Sequence, residues 1–128
     1  MDLLLDTHAL IWFINGDNTL PDNVINKIKD IRTNCFVSIA SIWEIAIKLS
    51  LGKLELNGSL EDISRIMERY QIELLPIAFD YIQKLLTLES HHRDPFDRII
   101  ISQGQVENLK IVTRDENFIK YNVEIIWN

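Results

Sequence analysis

The chain has 128 residues, of which 47% are hydrophobic and 25% are charged, and its formal net charge is −6. These values predict one globular domain over residues 1–128, large enough to bury a core without disulfides. The acidic balance argues against a protein that coats nucleic acid by counterion release. It does not exclude an enzyme that reaches phosphates through bound metal ions.

Cysteine content and hydropathy exclude further classes of protein. Cys35 is the single cysteine, which rules out a disulfide framework and a cysteine-rich zinc site. No apolar run approaches the roughly 20 residues of a membrane span, and residues 1–6 lack the basic region that begins a signal peptide. We therefore expect a cytoplasmic protein that does not associate with membranes.

Along the chain, short apolar runs typical of buried strands alternate with segments that have apolar residues at helical spacing. In the first half of the chain we predict a strand over 3–5, helices over 7–15 and 22–31, a strand over 35–37, a helix from Ser38 or Ser41 to Leu51, and a turn or hairpin-like link over 53–58. The middle of the chain is predicted to contain a helix opening at 59–62, a strand over 73–75, a helix over 78–88 and a polar loop over 89–93. A helix from Asp94, a strand over 110–113, a helical turn over 115–118 and a strand over 123–127 follow. This alternation predicts an α/β fold with a central parallel sheet of four to five strands and helices on both faces.

Two of the helix starts carry capping signals. Ser41 and Glu44 fit a capping box, as an alternative to capping by Ser38. Pro95 has a fixed φ and no N–H, so it belongs at the first position of a helix, and Asp94 before it is a natural N-cap. The apolar residues of this last helix predict its core face: Phe96, Ile99, Ile100 and Val106.

Four carboxylates stand where separate segments approach one end of the predicted sheet. Asp6 ends the first strand, and Asp115 follows the strand over 110–113 with only Arg114 between them. Glu44 lies on the helix after the second strand, and Asp97 lies in the opening turn of its helix. Ligands of open parallel sheets sit outside the carboxyl ends of the strands. We therefore expect these four side chains to lie in one pocket.

Each acid also has an ordinary structural explanation. Asp6 and Asp115 could each cap a following helix, and Glu44 could be one half of a capping box. Asp94 and Asp97 could both serve the dipole of their helix. Four such coincidences at one end of a sheet favour a shared site.

The chemistry of such a site follows from its ligand atoms. Carboxylates packed together without cations would repel one another and raise some of their pKa values. Ligand sets made of oxygen atoms suit Mg²⁺ or Mn²⁺ rather than zinc. These ions activate water and stabilise charge on a phosphoryl group, which is the chemistry of phosphodiester cleavage. Thr7 and Thr113, each adjacent to one of the acids, could hydrogen-bond a carboxylate or a water.

The acids lie in four short motifs that resemble those of a known family. The motifs are Leu4–Leu10 (LLDTHAL), Ser41–Ile45 (SIWEI), Asp94–Arg98 (DPFDR) and Thr113–Asp115 (TRD). In order and in spacing, over nearly the whole chain, they resemble the acidic motifs of the PIN-domain ribonucleases. The strongest likeness is to the VapC-type toxins of bacterial toxin–antitoxin systems.

This resemblance implies a Mg²⁺- or Mn²⁺-dependent endoribonuclease with RNA as its substrate and a protein antitoxin as its partner. Carried over residue by residue, Asp6, Glu44, Asp97 and Asp115 take the places of the catalytic, metal-binding acids. Asp94 either assists the site or caps its helix, and the cap is the preferred interpretation. A homodimer is the expected assembly.

Other polar residues near the motifs have two interpretations each. His8, His91 and His92 could ligate metal or shuttle protons, but surface or loop roles are favoured because no histidine-rich spacing supports a transition-metal site. Lys48, one turn after Glu44, could contact RNA phosphates or lie on a solvated helix face. Arg98 could also contact RNA phosphates.

Three alternatives from other classes stay open at this point. A receiver domain of two-component signalling would need an acidic pair after the first strand, where this chain has Asp6 and Thr7. A dehalogenase-type phosphatase would need a second aspartate at the position of His8. A catalytically idle PIN-like binding module would keep the fold without the reaction, and an activity assay distinguishes it.

Overall fold

A parallel sheet forms the centre of the structure, which is a computed structural model describing residues 2–128. Its strands are β1 (Asp2–Leu5), β2 (Asn34–Ser38), β3 (Glu73–Leu75), β4 (Lys110–Val112) and β5 (Ile125–Ile126). They lie in the order β3-β2-β1-β4-β5, and every neighbouring pair is parallel. The predicted α/β fold with four to five parallel strands is confirmed.

Helices link the strands, as parallel pairing requires. Within residues 2–128 the α-helices are α1 (Thr7–Asn15), α2 (Asp22–Lys29), α3 (Ile39–Ser50), α4 (Leu60–Arg69), α5 (Phe79–Leu85) and α6 (Pro95–Glu107). A 3-10 helix (Glu116–Lys120) precedes β5. In this described part of the chain, no helix has the length and hydrophobicity needed to cross a membrane.

The core lies on both faces of the sheet, because successive strand residues point to opposite sides. Leu3 and Leu5 of β1 belong to the cluster that α1, α2 and α4 complete. Leu4 belongs to the cluster on the other face, with residues of α5 and α6. All three leucines are fully buried, and each contributes about 1.5–3 kcal/mol by leaving water. β1 is therefore the central strand from which the first acid, Asp6, projects.

Ser38, rather than Ser41, sets the start of α3. Ser38 Oγ accepts a hydrogen bond from the backbone N–H of Ala40 at 3.1 Å, and the helix begins at the residue after Ser38. Ser41 already lies inside the helix, where its buried hydroxyl accepts a hydrogen bond from Thr7 Oγ1 at 2.9 Å. The predicted capping box of Ser41 and Glu44 is wrong, since a cap residue must stand outside the helix.

Several predicted elements are longer than the observed ones. The helix predicted over 22–31 ends at Lys29, and Ile31 beyond it is 89% exposed. The strand predicted over 123–127 shrinks to β5, whose two residues pair with β4. Val106, predicted to face the core, is 39% exposed. Ile31 and Val106 are apolar residues that no neighbouring element covers. Val123 and Trp127, by contrast, pack against the core clusters but do not pair with β4.

Candidate active site

Asp6 and Asp115 lie at the point in the sheet where the order of the strands reverses. β1 is followed in sequence by β2 on one side, whereas its other neighbour, β4, comes from much later in the chain. Ligands of open α/β sheets bind at such a switch point. The backbone N–H of Asp6 donates to the carbonyl of Val112 at 3.1 Å, which ties Asp6 to the end of β4. Asp6 and Asp115 line one cavity of about 240 Å³, together with His8, Trp12 and Arg114.

Asp6 is a buried acid held by the backbone. Its side chain caps α1, with Oδ1 accepting the backbone N–H of Ala9 at 2.8 Å, and the residue is 4% exposed. Burial raises the pKa of the Asp6 carboxyl, and the charge of Asp115 adds to this rise. Hydrogen bonds from Thr113 and from the Ala9 backbone partly offset it, followed by the attraction of His8.

Asp115 is held in the same manner at the end of β4. Its Oδ1 accepts the backbone N–H of Asn117 at 2.9 Å and so caps the 3-10 helix. Its own backbone N–H donates to Thr113 Oγ1 at 3.0 Å. Thr113 thus accepts from Asp115 through its hydroxyl oxygen, and the same side chain acts on Asp6, whose pKa it lowers. That Thr113 bonds a carboxylate or a water stays a prediction.

Glu44 reaches the region from the middle of α3. The residue is 7% exposed, and its Oε2 forms an ion pair with Lys48 Nζ at 3.1 Å. Its Oε1 is buried and has no hydrogen-bond partner among residues 2–128. A buried oxygen without a hydrogen-bond partner raises the free energy of the folded state, and a bound cation would remove this cost. Lys48 is half-buried on Glu44 rather than free on a solvated face.

Asp97 is the acid on which the others act most strongly. It lies in the first turn of α6, whose N-cap Asp94 accepts the backbone N–H groups of Phe96 at 2.9 Å and Asp97 at 3.2 Å. The pKa of Asp97 is raised to about 8, first by burial and then by the charges of four neighbouring carboxylates: Asp94, Asp115, Glu44 and Asp6, in that order. The preferred interpretation of Asp94 as a helix cap agrees with this geometry.

The structure thus brings the four predicted acids into one electrostatic neighbourhood, but not into a closed ligand cage. Glu44 and Asp97 do not line the cavity that Asp6 and Asp115 share. Within residues 2–128, no three His, Cys, Asp or Glu side chains are grouped closely enough to hold a metal ion. Mg²⁺ is usually bound through one or two carboxylates and keeps several waters. The unpartnered Glu44 Oε1 and the raised pKa of Asp97 fit such a cation, because a positive charge would satisfy both.

Two residues near Asp97 have roles that sequence reasoning missed. Arg98, interpreted as a possible phosphate contact, donates to the carbonyls of Leu88 at 3.4 Å and Glu89 at 2.9 Å and to the Tyr121 hydroxyl at 3.1 Å. His92 is half-buried beside Asp97, with Nε2 at 3.3 Å from Oδ2. No local spacing signals either role, because both depend on how the loop before α6 folds back.

The other two histidines have the surface or loop roles that were favoured. His8 is exposed and its ring lies 5.6 Å from that of Trp12. His91 contacts Glu89, with 2.8 Å between Nε2 and Oε2.

Comparisons with known proteins agree with this fold. Comparison with curated proteins finds no match. Among solved structures, VapBC2 from Rickettsia felis bound to a DNA fragment from its promoter has a TM-score of 0.75 at 17% identity, covering 100% of each chain. VapBC-1 from nontypeable Haemophilus influenzae has a TM-score of 0.71 at 17% identity, covering 98% of this chain and 97% of that chain. A toxin–antitoxin complex from Klebsiella pneumoniae has a TM-score of 0.64 at 16% identity, covering 97% and 95%. At these identities the likeness establishes the fold alone.

The family model described as "PIN domain" matches residues 3–124, which is nearly the whole chain. The match includes all four predicted acids and the strands that position Asp6 and Asp115. It also decides against the receiver-like and dehalogenase-like alternatives. The chain belongs to the PIN domain family.

Proposed function

We propose that this PIN domain is a Mg²⁺- or Mn²⁺-dependent endoribonuclease and the toxin of a toxin–antitoxin pair. In this proposal Asp6, Glu44, Asp97 and Asp115 are the catalytic, metal-binding acids. Two observations carry it: residues 3–124 match the PIN domain family, and Asp6 and Asp115 share a cavity at the carboxyl ends of β1 and β4. The charges of these two acids and of Glu44 also act on Asp97, so that four separate segments contribute to one acidic region. Four neighbouring carboxylates repel one another and so destabilise the fold. Helix capping alone does not explain why four separate segments bring acids into one region.

The chain's own residues divide the work of such a site. Asp6 and Asp115 are anchored by backbone N–H groups and by Thr113, so their carboxylates have fixed positions. Glu44 offers an oxygen with no partner among the residues that the structure describes, and Asp97 offers a carboxylate whose ionisation a cation would restore. A bound divalent ion supplies Lewis acidity that favours attack of water on phosphorus and offsets charge on the phosphoryl oxygens.

The proposed reaction is hydrolysis of an RNA phosphodiester. A bond forms between the water oxygen and phosphorus, and the bond from phosphorus to the 3′ oxygen breaks. The products carry a 5′-phosphate and a 3′-hydroxyl. Single-stranded or loop RNA is the favoured substrate, because an unstacked strand lets one phosphate approach the acids closely.

RNA cleavage by the purified protein tests this proposal. Cleavage of a single-stranded RNA should require Mg²⁺ or Mn²⁺, stop in the presence of EDTA, and fall by orders of magnitude in Asp6→Asn. Asparagine is about as good an N-cap as aspartate, so this substitution should leave α1 and the fold intact, as circular dichroism can verify. The matched control is Asp80→Asn, an exposed acid in the first turn of α5, which should cleave like the unaltered protein.

Two outcomes would contradict the nuclease proposal. Cleavage that survives both EDTA and Asp6→Asn would show that the acids are not the catalytic site. Absence of cleavage under every divalent ion, in folded protein, would favour the catalytically idle binding module. One observation supports that second function: Lys48 already neutralises Glu44 at 3.1 Å.

The antitoxin partner is proposed from the fold and from charge. VapBC proteins and a toxin–antitoxin complex share this fold. A guanidinium that binds carboxylates bidentately would compete with a metal ion for the same oxygens. Co-expression with the adjacent small reading frame should restore growth that the nuclease alone inhibits, and a pull-down should recover both proteins. A chain that is active on RNA in vitro but harmless in the cell, and retains no such partner, would instead be a housekeeping nuclease.

An exposed apolar surface at α5 is available for the proposed homodimer. Phe79 and Ile82 of α5, together with its C-cap Leu86, follow helical spacing and are all exposed. A stripe of this kind on one helix is typical of a protein–protein contact. Light scattering should give a mass near twice 15.0 kDa. Phe79→Ser should shift this mass towards the monomer, and a monomeric unaltered chain would contradict the proposal.

A further inference from the structure

The loop before α6 places the imidazole of His92 between two polar groups. Nδ1 lies 2.8 Å from the Tyr121 hydroxyl, and Nε2 lies 3.3 Å from Asp97 Oδ2. The side chain is 12% exposed and packs at an angle against the rings of Tyr121 and Phe118. The imidazole therefore links an acid of the proposed site to a tyrosine outside it.

The hydrogen bonds of Tyr121 determine which nitrogen of His92 carries the proton. The hydroxyl oxygen accepts from Arg98 Nη1 at 3.1 Å and from the backbone N–H of His92 at 3.3 Å. A phenol has one O–H to donate, and with its oxygen already accepting two hydrogen bonds, that O–H is left for Nδ1. Nδ1 must then be the acceptor. A neutral His92 consequently carries its proton on Nε2 and donates it to Asp97.

Asp97 needs such a donor more than the other acids do. Asp6 and Asp115 each accept a backbone N–H, and Glu44 pairs with Lys48. For the Asp97 carboxylate, the imidazole is the one hydrogen-bonding partner seen among residues 2–128. Since a carboxylate with no partner rotates about its own Cβ–Cγ bond, this contact fixes its orientation.

The loop that carries His92 is itself tied to α6. Arg98, the residue after Asp97, donates to the carbonyls of Leu88 and Glu89 as well as to Tyr121. The imidazole and the carboxylate therefore keep their relative positions. Groups that orient a ligand in this way typically change metal affinity or activity about 10- to 100-fold when they are removed.

We infer that His92 is a positioning residue, which, as the Nε2–H tautomer selected by Tyr121, orients the Asp97 carboxylate towards a divalent cation. The inference rests on the proposed function, because it takes Asp97 as a metal ligand. His92 touches neither substrate nor metal in this role and acts through Asp97 alone.

The tautomer is measured directly by ¹⁵N NMR of the imidazole in the metal-free, full-length chain at pH 8. The expected spectrum has a protonated Nε2 and an unprotonated Nδ1. Tyr121→Phe removes the O–H that selects this form, so the variant should show a mixture containing the Nδ1–H tautomer. A spectrum of the unaltered chain with Nδ1–H, or with both nitrogens protonated, would overturn the inference.

Mn²⁺ affinity, followed by the electron paramagnetic resonance of the free ion, tests the consequence for the site. His92→Phe keeps a ring against Tyr121 and Phe118 but has no N–H, and it should weaken Mn²⁺ binding about 10- to 100-fold. His92→Gln can donate an amide N–H to Asp97 and should recover most of the affinity. The control is His91→Phe, the same substitution at a neighbouring ring, 4.9 Å from the ring of Tyr121, which should bind Mn²⁺ normally.

The outcomes separate this inference from the nuclease proposal. Unchanged Mn²⁺ affinity in His92→Phe, or a His92→Gln variant no better than His92→Phe, would overturn the positioning role. If His92→Phe proves unfolded by circular dichroism, the NMR spectrum and the His92→Gln affinity decide it. Mn²⁺ binding that depends on His92 and Asp97, in a protein that cleaves no RNA, would support the positioning role and contradict the nuclease.

Discussion

The four proposed acids divide into two pairs that are held in different ways. Asp6 and Asp115 stand at strand ends, and each accepts a backbone N–H, from Ala9 at 2.8 Å and from Asn117 at 2.9 Å. Their positions are therefore set by the sheet and by the start of the helix that follows. Replacing either by asparagine keeps the cap and removes the charge.

The second pair is carried by helices and supported by side chains. Glu44 pairs with Lys48 at 3.1 Å, and Asp97 contacts His92 at 3.3 Å. The side chains that orient these acids can be substituted while the acids themselves stay unchanged. The positions of the strand-end acids are fixed by the backbone and cannot be changed by replacing a neighbouring side chain. Affinity for a cation can instead be changed at the helix pair, by replacing Lys48 or His92.

The largest effect is expected from removing the charge of Asp97. Its folded-state pKa is raised to about 8, mainly by burial and then by Asp94, Asp115, Glu44 and Asp6. A raised carboxyl pKa gives stability that is complete below the unfolded-state value near 4 and is lost as pH rises through about 8. Asp97→Asn has no such loss. At pH 9 in EDTA it should be about 2 kcal/mol more stable than the unaltered chain, after allowance for solvent screening.

Urea unfolding at pH 5 and pH 9 measures this difference. The gap between Asp97→Asn and the unaltered protein should be larger at pH 9, and Mg²⁺ should narrow it by stabilising only the unaltered protein. Asp80→Asn, on the exposed surface of α5, serves as the control with no pH-dependent gap. Equal gaps at both pH values would contradict the role of Asp97 burial.

An intermediate effect is expected at Lys48. Lys48→Met keeps an apolar stem but removes the ammonium from Glu44, so the cluster becomes more negative and Mn²⁺ should bind about 3- to 5-fold more tightly, equivalent to about 1 kcal/mol. Titration with Mn²⁺ measures this, with the exposed Lys53→Met as control. Weaker binding in Lys48→Met would mean that the lysine orients Glu44 instead of competing with the metal.

The smallest effect is expected at Asp94. Its carboxylate accepts the backbone N–H groups of Phe96 and Asp97, a role that asparagine fills about equally well. Asp94→Asn should change the free energy of unfolding by less than about 0.5 kcal/mol and reduce RNA cleavage far less than Asp97→Asn. Equal losses of cleavage in the two variants, at equal stability, would assign Asp94 to the metal site.

The strand-end pair was predictable from the sequence for a physical reason. Short, mostly apolar runs such as 3–5 and 110–112 have a clear signature, and an acid within three residues of the end of such a run lies at the carboxyl edge of a parallel sheet. The start of α6 at Asp94 and Pro95 was equally predictable, because proline and an N-cap act on adjacent residues. Both features depend on residues adjacent in the chain.

The helix pair was only partly predictable, because its support comes from distant contacts. The capping-box interpretation of Glu44 was wrong, since β2 extends to Ser38 and leaves Ser41 inside α3. The roles of Arg98 and His92 depend on Tyr121, which no local pattern connects to them. Sequence motifs located the acids, but the groups that orient them appear only in the folded chain.

The order of the strands also has a consequence for when activity can arise during synthesis. Leu3 of the central strand pairs with Lys110 of β4, so the first strand stays unpaired on one side until almost the whole chain exists. Contacts between such distant residues form late in folding and slow it. The acids of the two strand ends therefore cannot meet before β4 and Asp115 have been made. Under the proposed function, a nascent chain would therefore be harmless to the messenger RNA and ribosome that produce it.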